Sequence, residues 1–317
     1  MLLSMIELKD LEAAQQVISG RVHRTQMTGS THLGKQVGAK LLFKLEMFQK
    51  TGSFKLRGVL NRMHHLTHEA RKKGVISVSA GNHAQALAYA ATLWGVPSTV
   101  VMPSSALKSK VEATKAYGAE VILTDGDLLE TVLSVQKERD LTMVHPFDDL
   151  KIIAGAGTVG LEILEDVPEV DIVVTGIGGG GLISGVATAI KLKKPDTRVI
   201  GVEPLGAPGM SKSLRLGRPV HLESVNTVAD GLAAPFVGEH NLAHVQSYVD
   251  EVVLISDEEI IEAMALIMER CKLVAEPAAA STFAALLFGK VKVPPGSTVV
   301  CVLSGGNIDR ERLKSLL

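Results

Sequence analysis

Short apolar runs rich in β-branched residues recur along the chain: Val75 to Ser79, Ser98 to Met102, Glu120 to Leu123, Asp171 to Thr175, Arg198 to Glu203 and Ser297 to Leu303. Segments of helix length separate most of them. Strands spaced by helices predict parallel sheets covered on both faces, and an unbroken apolar run such as Ser98 to Met102 fits a strand buried on both sides. Arg71 to His145 holds one succession of such units, whereas Asp171 to Glu203 and Ser297 to Leu303 form another. The pattern therefore predicts an α/β fold: two open, mainly parallel twisted sheets flanked by helices, with a cleft between them. The division is placed at residues 48–145 for a small domain, with 1–47 and 146–317 forming a large one. No low-complexity linker or internal repeat marks the boundary.

Ile172 to Ile190 carries no charged side chain over about the length of a membrane helix. Its glycines read differently: a buried strand to Thr175, a loop over Gly176 to Gly181, and a helix over Leu182 to Lys193. Net charge is -1, from 33 basic and 34 acidic residues, which gives no bulk-charge footprint for nucleic acid or an anionic membrane. A small-molecule partner is the expectation. The only cysteines, Cys271 and Cys301, lie in a helical pattern and an apolar run, as unpaired thiols of cytoplasmic proteins do. The start of the chain is interrupted by Glu7, Lys9 and Asp10, so no cleavable export segment is read there. A cytoplasmic location follows as an expectation.

Three loops stand at strand ends, where open α/β sheets bind ligands and where helix N-termini attract anions. Ser79-Ala80-Gly81-Asn82-His83-Ala84-Gln85 follows the first strand; its small residues expose backbone N–H groups able to grip a carboxylate, although Asn82 could equally be a helix cap. Gly178-Gly179-Gly180-Gly181-Leu182 could close backbone amides around a phosphate. Gly176, Gly178 and Gly181 also satisfy G-x-G-x-x-G, with Glu203 in the next strand run, so an NAD-dependent oxidoreductase is an alternative. Ser304-Gly305-Gly306-Asn307 closes the last strand with a hydroxyl. Apart from these, Lys55 lies in Lys50-Thr51-Gly52-Ser53-Phe54-Lys55-Leu56-Arg57-Gly58, where small polar residues run into a helix and Phe54 offers an apolar ring. A shielded lysine in such a place can carry amine chemistry.

These four ordered segments together resemble the pyridoxal-phosphate enzymes of the tryptophan-synthase β-subunit fold (fold type II), specifically the threonine/serine dehydratase and serine racemase group, over nearly the whole chain. The resemblance implies a Schiff base between the cofactor and Lys55, with Phe54 against the cofactor ring. It implies that Asn82 bonds the ring hydroxyl, that Gly178, Gly179, Gly180, Gly181 and Leu182 hold the phosphate, and that Ser304 meets the pyridine nitrogen. Ser79, Ala80, Gly81, Asn82 and His83 would take the substrate carboxylate, and Lys55, once free, would remove the α-proton. Loss of the β-hydroxyl would then give a 2-oxo acid and ammonia. A hydroxyl such as Ser304 is too weak an acid to keep the ring nitrogen protonated, which favours β-elimination over transamination. Ser304→Asp tests this: unchanged partitioning toward transamination would count against it.

Two departures separate dehydratase from racemase. Racemases of this group carry a serine where Ala80 stands and an asparagine where Phe147 follows His145-Pro146. Alanine has no proton to deliver to the opposite face of the substrate, so elimination from L-threonine or L-serine is the expectation, with Phe147 as an apolar wall for the β-substituent. Dehydration of 3-hydroxyaspartate or phenylserine and serine racemisation remain alternatives. A cation site of the family would use Glu203 and the Ala207 carbonyl, but its aspartate position is Gly209, and no metal is assigned. His64, His65 and His68 read as a solvated polar helix surface. A homodimer or higher homo-oligomer, and no regulatory module after Leu317, complete the expectations.

Overall fold

The computed structural model describes residues 3–317. Its strands are β1 (Met27–Gly29), β2 (Lys40–Leu45), β3 (Val75–Val78), β4 (Ser98–Pro103), β5 (Glu120–Thr124), β6 (Thr142–Met143), β7 (Ile172–Gly176), β8 (Arg198–Pro204), β9 (Glu251–Ile255) and β10 (Thr298–Leu303). They form two sheets, a larger one in the order β1-β2-β10-β7-β8-β9 and a smaller one in the order β5-β4-β3-β6. Every pairing is parallel except β1 with β2. The two-sheet α/β architecture expected from the apolar runs is therefore the one observed.

Period-two alternation explains why the central strands are apolar throughout. Val174, Ile200, Val202 and Cys301 enter one core with Phe283 of the helix Pro277–Leu287, while Val173, Val199, Val300 and Val302 enter another with Ile183 and Val186 of the helix Gly181–Lys193. The small sheet divides likewise, with Val75, Val100 and Met102 on one face and Ile76 and Val101 on the other.

The helix Lys55–His64 stands between the two halves. Leu56, Val59, Leu60 and Met63 bury against the small-sheet core, each contributing roughly 1.5–3 kcal/mol of transfer free energy. On its other side it lies against the helix Leu150–Asp166 so closely that a Cβ at Gly58 would stand 2.7 Å from the Ile152 carbonyl, and one at Gly155 2.6 Å from that of Arg57. Arg57, wholly buried, pairs bidentately with Glu46 (2.7 and 2.8 Å) and Glu162 (2.7 and 2.9 Å). Buried Lys44 completes a charge-balanced quartet through Glu162 at 2.7 Å.

Four strands fall outside the apolar runs singled out from sequence. β1 and β6 are too short to show a period, and Lys44 interrupts the apolar pattern of β2 because its charge is neutralised inside the protein. β9 carries an ordinary Val-Val-Leu-Ile run at the sheet edge. Ile172 to Ile190 resolves into β7, a loop and a helix. Among the described residues no helix is long and apolar enough to cross a membrane. His64 packs against His65 and Trp94.

Candidate active site

Lys55 is the first residue of its helix, preceded by Phe54, and the turn is pinned to the end of β10: the Phe54 N–H donates to the Ser304 carbonyl at 3.0 Å, and Ser53 bridges Gly305. Lys55 Nζ donates to the Pro146 carbonyl at 2.8 Å and stands 5.2 Å from the Phe54 ring centroid. Although the residue as a whole is only half-buried, its amine is turned into the protein. Loss of hydration lowers its pKa to about 8, against the pull of the Glu276 carboxylate, which raises it.

The loop after β7 leads into the helix Gly181–Lys193, whose N-cap Gly180 has φ 99° and supplies no side-chain cap. The first-turn N–H groups are left for a ligand. The cradle has no room for side chains: a Cβ at Gly179 would meet the Phe147 ring at 2.4 Å, and one at Gly178 the Gly231 carbonyl at 3.1 Å. Phe147 thus faces the glycine loop, packed against His145 (4.7 Å between centroids) and Phe236 (5.2 Å). A phosphate is the group such a cradle fits.

Asn82 is the first residue of the helix Asn82–Leu93, and Gly81 occupies the cap position, so the helix-cap reading of Asn82 does not hold. Its amide Nδ2 donates to both oxygens of Glu276, at 2.9 and 3.1 Å, and its Oδ1 accepts from Asn307 Nδ2 at 2.8 Å. Ser79 Oγ accepts from the Gly81 N–H at 3.2 Å, and Ser79, Ala80 and Gly81 are half-buried at the cleft. His83 is turned away from it: Nε2 lies 3.0 Å from Ser77 Oγ and 3.2 Å from the Val144 carbonyl. Burial lowers the His83 pKa to about 3, so this imidazole is neutral, and only its backbone is left to meet a carboxylate. Ser304 is buried where β10 ends.

Glu276 is a site residue that sequence reasoning missed. It precedes Pro277 and an alanine-rich helix, and there it reads as an ordinary first-turn acid. The only sequence signal is a lone carboxylate amid small apolar residues. Burial raises its pKa to about 7, opposed by the Asn82 hydrogen bond and by Lys110.

Glu203 corrects the dinucleotide alternative. Its oxygens accept from the backbone N–H groups of Met210 (2.6 Å) and Ser211 (2.8 Å) and from Ser211 Oγ (2.7 Å), closing the start of the helix Gly209–Leu216. A carboxylate so engaged is not free for a ribose hydroxyl. The Ala207 carbonyl accepts from the Gly209 N–H at 3.0 Å, and no group of three metal-ligating side chains occurs among the described residues.

Residues 18–305 match the family model described as pyridoxal-phosphate dependent enzyme. The chain belongs to that family. Its members are pyridoxal-phosphate enzymes, and the oxidoreductase alternative falls with this finding. An L-threonine ammonia-lyase of Thermotoga maritima is 46% identical over 309 residues, covering 96% of this chain and 76% of the relative. A catabolic L-threonine dehydratase of Staphylococcus aureus is 41% identical, covering 99% and 92%. Among solved structures, the T.th. threonine deaminase superposes with a TM-score of 0.90 at 40% identity, covering 96% of this chain and 99% of that one. Maize serine racemase gives 0.94 at 40% identity, covering 98% and 97%.

Proposed function

We propose that this enzyme dehydrates and deaminates L-threonine and L-serine to 2-oxobutyrate or pyruvate and ammonia. The observation that carries the reading is the Lys55 amine, desolvated to a pKa of about 8 beside a glycine cradle, in a chain similar to threonine dehydratases. Gly178 to Gly181 and Leu182 would hold the cofactor phosphate, Ser304 the ring nitrogen and Phe54 the ring face, and Asn82 would give one of its two Nδ2 hydrogens to the ring hydroxyl while the other stays on Glu276. When bound, pyridoxal phosphate would supply the electron sink that acidifies the α-proton.

The chain's own groups account for the rest. A pKa near 8 leaves roughly a tenth of the Lys55 amine unprotonated at pH 7, enough for it to act as a base at the α-proton. The backbone of Ser79 to His83, at the start of the helix Asn82–Leu93, offers N–H donors to a carboxylate. Ala80 presents a methyl group, which cannot deliver a proton to the opposite face. His145 Nδ1 accepts from the backbone N–H groups of Phe147 and Asp148, and burial lowers its pKa, so its ring is neutral. Phe147, against the glycine loop, is proposed to bound the space for the β-substituent.

The functional division proposed is cofactor binding by residues 1–47 and 146–317 and substrate binding by 48–145. Two unpaired cysteines agree with the cytoplasmic location proposed here, and a homodimer or larger homo-oligomer is proposed from the family resemblance. The deciding experiment is 2-oxo acid release from L-threonine and L-serine, with D-serine followed in parallel. Wild type should release the 2-oxo acid without accumulating D-serine, and Lys55→Ala should release none. D-serine forming as fast as pyruvate would move the assignment to racemase.

A further inference from the structure

Glu276 introduces the helix Pro277–Leu287 but gives it no cap hydrogen bond. Its carboxylate reaches across the cleft instead, where both oxygens accept from the amide of Asn82, the opening residue of a small-sheet helix. Asn307 Nδ2 donates to Asn82 Oδ1 and to the Thr51 carbonyl, each at 2.8 Å, so both of its hydrogens are used. The carboxylate sits between bare backbones: a Cβ at Gly305 would stand 2.6 Å from Oε1 and one at Gly231 3.4 Å. The ionisable groups facing it are Lys55, Lys110 of the helix Lys108–Ala116 and Asp230. Lys110 and Asp230 make their own contact between the halves at 3.2 Å, but Asp230 is 57% exposed and the pair is correspondingly weak.

We propose that Glu276 is a positioning residue: with Asn82 it forms a latch across the cleft that fixes the Ser79–His83 loop relative to Lys55 and thereby sets the affinity for the substrate carboxylate. The inference rests on the reading that this loop takes the carboxylate. Few chain crossings join the small-sheet unit to the rest, so a buried, charge-assisted contact between the halves restrains their relative position more than surface pairs do. The carboxylate form suits the latch, because a protonated oxygen no longer accepts freely from the Asn82 amide.

The test compares wild type with Glu276→Gln and Glu276→Ala as cofactor-loaded proteins. Gln keeps one acceptor but turns an N–H donor toward Asn82, and Ala keeps neither. Amide hydrogen exchange over residues 79–85 should quicken at least about fivefold in both variants while 277–287 is unchanged. KM for the amino acid should rise about tenfold with a smaller change in kcat. In wild type KM should climb as pH falls below about 7, and in Glu276→Gln that climb should be absent. Unchanged exchange over 79–85, or equal quickening over 277–287, would overturn the latch in favour of a local structural role. If wild type releases no 2-oxo acid, the proposed reaction fails, and the exchange measurement still decides the latch.

Discussion

A single added methyl group measures how tightly the cradle is built. At Gly179 a Cβ would collide with the Phe147 ring at 2.4 Å, and neither partner has slack, because the ring is wedged between His145 and Phe236. Overpacking of this kind costs about 1–3 kcal/mol, so Gly179→Ala should weaken cofactor retention by about fivefold to a hundredfold. Absorbance of the bound cofactor after dialysis reads this directly, and adding Phe147→Leu should restore part of the loss. Retention equal to wild type would show that the ring does not brace the loop. The glycine run and Lys55 stand out in the sequence because the chemistry proposed for them calls for small residues and an amine in a fixed order. His83 and Glu276 do not, because what distinguishes them is which way a side chain turns: His83 toward Ser77, Glu276 toward a residue of the opposite sheet.

At the level of elements, the apolar runs revealed six of the ten strands and the two-sheet plan, since burial on both faces leaves a continuous signal. What they could not reveal is how the Lys55 helix is mounted. Arg57 reads in sequence as a surface cation, yet it is fixed between Glu46, just beyond β2, and Glu162 of the helix Leu150–Asp166. Lys55 and Arg57 point to different sides of one turn, so the quartet holds the helix from behind while the amine faces the cleft. Replacing Arg57 by Met would leave two buried carboxylates with Lys44 as their main cation. Removing one partner of a buried pair costs about 3–5 kcal/mol. Urea unfolding of Arg57→Met should show that loss as a lower midpoint with an unchanged slope. A decrease below about 1 kcal/mol would mean that the quartet contributes little to holding the helix.

For the whole molecule, the buried groups of the cleft make stability depend on pH in a way that can be separated by substitution. Burial raises the Glu276 pKa from its ordinary 4.5 to about 7, so between those values the folded chain holds a proton that the unfolded chain has released. The folded state then binds more protons, and this contribution is full below about 4.5 and is lost as pH rises through about 7. It amounts to about 3 kcal/mol at most. His83 acts in the opposite sense: its pKa is depressed to about 3, so its contribution grows as pH rises toward 6.5. The wild-type curve alone is therefore a mixture of opposed slopes. The difference between Glu276→Gln and wild type isolates the carboxylate, since His83 and the other groups are common to both proteins. Relative to wild type, the variant should become progressively more stable between about pH 5 and about pH 7.5, whatever constant offset the lost hydrogen bond imposes. Thermal unfolding midpoints across that range supply the difference, and a flat difference curve would mean that Glu276 is ionised throughout and that Lys55 faces a full negative charge even in mild acid.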